Sequence, residues 1–185
     1  MIVAGLDVAT KTGIAVLNGN ICLHWEAHRP NGGDDAAIFR GFRIWLRATL
    51  IAQRVEAVAI EEPLRTDLKR KRKWDGQADA FGGPSIMDAA TSMRTYIRLY
   101  GLFGHAIEIV DSMNIPFHVV HQATWRAAFL GNGRGDKAMS VAQCKRLGWL
   151  IKSPDAAEAA GVAFWLQGKL AEQRAGELAL RASAA

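Results

Sequence analysis

Four carboxylates stand where this sequence could do chemistry: Asp7, Glu61, Asp155 and Glu158. Asp7 follows the apolar run Met1-Ile-Val-Ala-Gly-Leu, which reads as a buried strand delivering one charge to the centre of the fold. A buried carboxylate is costly unless a cation meets it. No Lys or Arg precedes Asp7, and Lys11 sits in the turn that follows. A divalent metal shared with further carboxylates would balance the charge. Glu61 closes Val58-Ala-Ile-Glu61, and Asp155 and Glu158 open a late helix, three apart and so on one side of it. The expectation is a four-carboxylate, metal-dependent site. Two simpler readings stand beside it. Acids near a helix start complement the helix dipole without any metal, and Glu62 competes with Glu61, since alternation turns only one of them toward Asp7.

The elements that must position these side chains follow from the pattern. Residues 2–8, 13–17 and 21–27 read as strands, and Asn18-Gly19 is a hairpin signal between the last two. The chain thus opens as a three-strand antiparallel meander. After a Pro- and Gly-containing loop ending in Asp34 and Asp35, Ile38, Phe42, Trp45, Leu46 and Leu50 fall on a helical stripe from Ala36 to about Val55. A strand over 57–62 is closed by Pro63, and residues 63–84 show no periodicity. A helix is expected from about Ser85 to Ser112, weakened by Gly101 and Gly104, then a strand over 117–121. Thr124 is placed to cap a helical turn through Phe129, a Gly-rich loop spans 131–135, and Lys137–Leu147 reads as helix. Ser153-Pro154-Asp155 is a helix start, with Ser as cap and Pro in the first turn, and that helix runs to about Gln167. Strands followed by alternating helices and strands imply an α/β fold, a mixed sheet with helices on both faces. The Asp7 and Glu61 strands can then be neighbours. The division expected is a domain over 1–168 and a helical or disordered tail over 169–185.

The chain has 185 residues and a net charge of +5. One domain with a substantial core fits that length. Residues 65–75 carry six cations (Arg65, Lys69, Arg70, Lys71, Arg72, Lys73) against Asp67 and Asp75, so this window holds +4 of the +5. Basic charge concentrated on a near-neutral body suggests a polyanionic partner such as nucleic acid. No stretch reaches the length of a membrane span, and Asp7 interrupts any signal-peptide pattern. Cys22 and Cys144 form no CxxC pair and read as small core residues of a reduced, cytoplasmic protein. His24, His28, His118 and His121 have no acid or cysteine partner at metal spacing and read as structural. Trp125, Trp149 and Trp165 are expected in the core.

Gly5-Leu-Asp7 with Thr12-Gly13, Ala59-Ile-Glu61, and Asp155-Ala-Ala-Glu158-Ala-Ala resemble, in order and spacing, the RuvC family of Holliday junction resolvases within the RNase H-like nucleases. The likeness spans roughly residues 2–166. The family pattern ends in D-A-A-D where this chain has D-A-A-E. The resemblance implies an RNase H-like mixed sheet and a Mg²⁺-dependent endodeoxyribonuclease that cuts four-way or branched DNA as a homodimer, in recombination and repair. The chemistry agrees: two divalent ions about 4 Å apart activate water and stabilise the leaving oxyanion, and Mg²⁺, or Mn²⁺ in its place, takes carboxylate oxygens. Asp7 would bridge the two ions, flanked by Glu61 and Asp155, with Glu158 completing the set. The family frame selects Glu61 over Glu62. It also implies a catalytic role for Lys137, and a phosphate-bracing one for Arg126 where the family has another basic residue. DNA contacts would come from Lys11, the basic run 65–73, Arg126 and Arg134, with nucleoid-associated localisation. An aromatic wedge is expected after the catalytic Glu, but Leu64 stands there; Trp74 or Phe81 could stack instead, or simply pack the loop down. The dimer contact is assigned to the long helix through Met93, Ile97 and Tyr100, unless these face the sheet.

Three rivals share parts of this pattern. Actin- and sugar-kinase-like ATPases open similarly but need a second lobe. YqgF-like nucleases share Gly-Leu-Asp yet lack an Ala-Ile-Glu strand followed by a long basic loop. A non-catalytic DNA-binding module would explain the basic loop and leave the four carboxylates without a purpose.

Overall fold

The computed structural model describes residues 1–63 and 93–183. Period-two apolar segments form β1 (Ile2–Asp7), β2 (Thr12–Asn18) and β3 (Ile21–His28), an antiparallel meander as the pattern predicts. The hairpin lies one residue later than expected. Asn18 pairs with Ile21, so the two-residue loop is Gly19-Asn20, with Gly19 at φ +56° supplying the left-handed turn conformation. The first helix, α1 (Asp35–Ala52), is capped by Asp34, whose side chain accepts from the N–H of Ala37, and it buries Ile38, Phe42, Leu46 and Leu50. It leads to β4 (Ala57–Glu61), then α2 (Met93–Ser112), β5 (Phe117–Val120), α3 (Gln122–Leu130), α4 (Lys137–Arg146) and α5 (Pro154–Ser183).

The five strands lie in the order β3-β2-β1-β4-β5, with β4 parallel to both β1 and β5. β1 is therefore central. Alternation sorts its residues cleanly. Ala4, Leu6 and Val8 join Ile14, Val16, Val58 and Ile60 under α1 and α2. Val3, with Ala15, Leu17, Ala57 and Ala59, faces α5. Gly5 and Asp7 share parity with Val3, so Asp7 emerges on the α5 side at the end of β1.

Several expectations change. Thr124 caps nothing; His121 is the cap of α3, its Nδ1 accepting from the N–H of Ala123. Ser153 serves α5 through its backbone carbonyl, which accepts from the N–H of Ala157 at 2.9 Å, while its hydroxyl is buried without a partner. Gly101 of α2 has a packing role: a Cβ there would stand 2.5 Å from the Phe39 ring, so the glycine is where α1 and α2 close together. Residues 85–92 of the expected helix lie outside the described residues. α5 continues unbroken past Gly168 to Ser183, and residues 171–183 are exposed. Trp125 and Trp149 are buried, but Trp165 is only half-buried, under Lys169 and edge-on to His118. His24 and His28 do have an acid partner: Glu26 lies between them on the same face, with carboxylate oxygens 3.8 Å and 3.6 Å away. Among the described residues no helix is long and apolar enough to cross a membrane.

Candidate active site

Three elements bring the four carboxylates to one end of the sheet. In the antiparallel pairing Asp7 stands opposite Gly13, and in the parallel one Gly5 stands opposite Ala59 and Leu6 opposite Ile60. Continuing that register sets Glu61 beside Asp7. Glu61, not Glu62, shares the face of Ala57 and Ala59, and it is buried. α5 supplies the other two by lying directly on strand backbone. A Cβ on Gly13 would meet the carbonyl oxygen of Asp155 at 2.1 Å, and one on Gly5 would meet that of Ala159 at 2.1 Å. With no side chains at these two positions, Asp155 and Glu158 come within reach of Asp7. Their spacing of three turns both toward it.

The cations arrive from elsewhere. Lys137, the first residue of α4, places its ammonium 2.5 Å from Asp155 Oδ1, 3.2 Å from Glu158 Oε2 and 3.8 Å from Asp7 Oδ2. Lys11, in the β1–β2 turn, stands 3.3 Å from Asp155 Oδ2. The Thr12 hydroxyl closes that turn on the carbonyl of Ala9 at 2.8 Å. Arg126 of α3 is no solvated surface cation: its guanidinium pairs with Glu158 Oε1 and is largely buried. Arg134 stands apart, exposed on its loop. Arg65, Lys69, Arg70, Lys71, Arg72, Lys73, Trp74 and Phe81 lie outside the described residues.

Two site residues were not foreseen. Trp125 Nε1 donates to Glu61 Oε2 and Gln122 Nε2 donates to Glu61 Oε1, each at 3.0 Å. Trp125 reads from sequence as a core residue, and so it is by burial. The available signal was the spacing of Gln122, Trp125 and Arg126, which puts three N–H donors on one face of a helix.

The electrostatics follow from burial. Burial, and after it Glu61, holds the Asp7 carboxyl well above its ordinary range against the pull of Lys137. Burial and Glu158 push Glu61 up to about 7, opposed by Trp125, Arg126 and Gln122. Burial works to lower the Lys137 pKa, but Asp155, Asp7 and Glu158 outweigh it, so the ammonium keeps its proton. For Asp155 burial is likewise outweighed, by Lys137 and then Lys11, and its carboxyl lies below the usual range.

Nearly every one of these oxygens has a partner. Asp7 Oδ2 is buried and accepts no hydrogen bond, its one ion contact among the described residues being the Lys137 ammonium at 3.8 Å. Among the described residues no three Asp, Glu, His or Cys side chains converge as a ready-made metal cage, and Lys137 and Arg126 pair with the carboxylates. The donor set nevertheless fits a hard divalent cation: four carboxylates, no sulfur or imidazole, and one buried oxygen without a donor.

No protein-family model matches the sequence, and no curated protein does either. Solved structures do. Thermus thermophilus RuvC matches with a TM-score of 0.64 at 18% identity, over 89% of this chain and 92% of that one. The same protein in complex with a Holliday junction substrate gives 0.63 at 15%, covering 89% and 91%. Ydc2, the yeast mitochondrial Holliday junction resolvase, gives 0.52 at 14%, covering 88% and 76%. The mixed five-strand sheet with its helices is thus the fold of RuvC-like resolvases.

Proposed function

We propose that this chain is a metal-dependent, structure-specific endodeoxyribonuclease that resolves four-way DNA junctions by paired, symmetric phosphodiester hydrolysis. The observation that carries the reading is the buried, donorless Oδ2 of Asp7 at the centre of a four-carboxylate cluster that three separate elements assemble. A cluster of buried like charges has no structural benefit, since each acid raises its neighbours' pKa. The solved structures sharing this fold, one of them bound to a Holliday junction, point to the substrate.

Asp7, Glu61, Asp155 and Glu158 would hold two Mg²⁺ ions, with Mn²⁺ able to substitute. Bound there, the ions would activate water and neutralise charge on the leaving oxygen. The chain's own groups do the rest. Lys137, protonated and half-exposed on its α4 start, is free to turn from Asp155 toward a phosphate oxygen once metal balances the acids. Arg126 stays on Glu158 and fixes that carboxylate from behind. The basic segment 65–73, Lys11 and Arg134 would hold the DNA backbone, with Trp74 or Phe81 stacking at the open junction. Cutting two strands symmetrically calls for a two-fold homodimer. The α2 stripe suits that contact, since Met93, Ile97 and Tyr100 are 74%, 60% and 43% exposed and do not face the sheet. Such an enzyme works in the cytoplasm, with the nucleoid.

The test is cleavage of a mobile synthetic four-way junction beside matched duplex, fork and single strand, with Mg²⁺ and with EDTA. Symmetric paired nicks on the junction alone, and only with metal, are expected. Asp7→Asn should bind the junction and cut it at least ~10³-fold more slowly, the size of loss that follows removal of a key charge-stabilising group. Cutting of every substrate would make this a general nuclease, and tight junction binding without cleavage by the unaltered protein would defeat the enzyme reading.

A further inference from the structure

Two of the four carboxylates are held by cations and one by neutral donors, and this division has a consequence for how the site loads. Asp155 and Glu158 take ammonium or guanidinium groups, which a metal ion must displace or sit beside. Glu61 receives one N–H on each oxygen, from the Trp125 indole and the Gln122 amide, both at 3.0 Å. A neutral donor orients a carboxylate without cancelling its charge, and each oxygen keeps a second acceptor site. Gln122, Trp125 and Arg126 lie at i, i+3 and i+4, so one face of α3 addresses acids on β4 and on α5 together.

The indole is itself held by α5. A Cβ on Gly161 would stand 2.5 Å from Trp125 Cζ3 and 2.8 Å from Phe129 Cδ1, so the glycine three residues after Glu158 forms the slot in which the ring lies. About two turns of α5, from Asp155 to Gly161, thus supply the last two acids and the seat of the group that orients Glu61. Trp125 is fully buried, so its ring cannot swing aside without opening the core.

We propose that Gln122 and Trp125 are positioning residues that preorganise Glu61 as a metal ligand, with Gly161 fixing the indole. This rests on the metal-dependent reading of the site. Without the two N–H groups, Glu61 would be free to rotate away from Asp7, and metal would have to order it on binding.

The experiment is Mg²⁺ titration of the intact protein followed by isothermal calorimetry and by the Mg²⁺-dependent rise in Tm, for the unaltered chain, Trp125→Phe, Gln122→Leu and Asp7→Asn. Gln122 is half-buried and Gln122→Leu keeps its bulk, so that variant reports even if Trp125→Phe loosens the core. Each of the two should weaken Mg²⁺ binding by about 10- to 100-fold, the usual cost of losing an outer partner of a metal ligand. Junction cleavage should then need more Mg²⁺ while its rate at saturating metal recovers. A purely structural role would lower Tm equally with and without Mg²⁺. Mg²⁺ affinities within about twofold of the unaltered chain for both variants would overturn the assignment. No Mg²⁺ binding by the unaltered chain, or binding unchanged by Asp7→Asn, would instead overturn the metal site on which it rests.

Discussion

The two faces of the sheet are packed on different principles. On the α5 face, eight of eighteen buried residues are alanines, against two of sixteen under α1 and α2. Small side chains let backbone approach backbone, and the glycine contacts at Gly5 and Gly13 show how close α5 comes. The other face holds its helices off the sheet with Phe42, Leu46, Leu50, Leu102, Ile109 and Val110. Large apolar residues bury area but tolerate rearrangement, whereas a glycine–backbone contact admits one position only. The carboxylate cluster sits on the close-packed face. A site that needs carboxylates set to fractions of an ångström is built where the packing leaves no slack, and bulk hydrophobic burial is left to the opposite side.

This contrast can be broken at several points. Gly5→Ala forces α5 away from β1 and should cost about 4 kcal/mol or more, beyond ordinary overpacking, because the obstacle is backbone. Denaturant melts would measure it, and any folded fraction should have lost junction cleavage. Leu46→Ala on the opposite face should cost roughly 2–5 kcal/mol, yet leave the activity per folded molecule unchanged. Equal losses of activity from both substitutions, at matched folded fractions, would erase the distinction.

The acids on the α5 face also make stability depend on pH. Glu61 is shifted from its ordinary 4.5 to about 7, so the folded state binds a proton that the unfolded chain has lost across that window. Metal-free stability should therefore fall as pH rises from about 5 to about 8, by up to about 3 kcal/mol, with Asp7 acting in the same direction. Melts in EDTA at the two pH values would show this, and Glu61→Gln should flatten the slope. Mg²⁺ should bind more tightly at the higher pH, since it must displace protons. The smallest effect belongs to the outer side of α1. Arg43 and Glu108 form a pair 3.6 Å apart with both side chains about half exposed, and Arg43→Ala should change stability by less than about 0.5 kcal/mol.

Much of the fold was legible. The meander, α1 and β4, the strand placing Glu61, follow from apolar periods of two and 3.6, and these come from local geometry. What misled were caps and turns. Thr124 gave way to His121 as the cap of α3, whereas Ser153 keeps the cap position of α5 and serves it through its carbonyl, its hydroxyl unpaired. The four acids were legible because a charged residue ending a buried strand is conspicuous. Lys137 and Arg126 entered only through family resemblance, and Trp125 and Gln122 not at all.

By itself, then, the sequence determined which elements form and which residues alternate toward which face, because both are properties of a few consecutive residues. It determined the composition of the site as well: four acids, each at the end or start of an element. The tertiary structure decided that Lys137 stands at the focus of three of those acids, that Arg126 is a buried partner of Glu158, and that an indole orients Glu61. These contacts join residues far apart in the chain, with Glu61 and Trp125 separated by 64 positions. No local period encodes such a meeting; it exists only once α5 has settled onto β1 and β2 through glycines that leave it one place to lie.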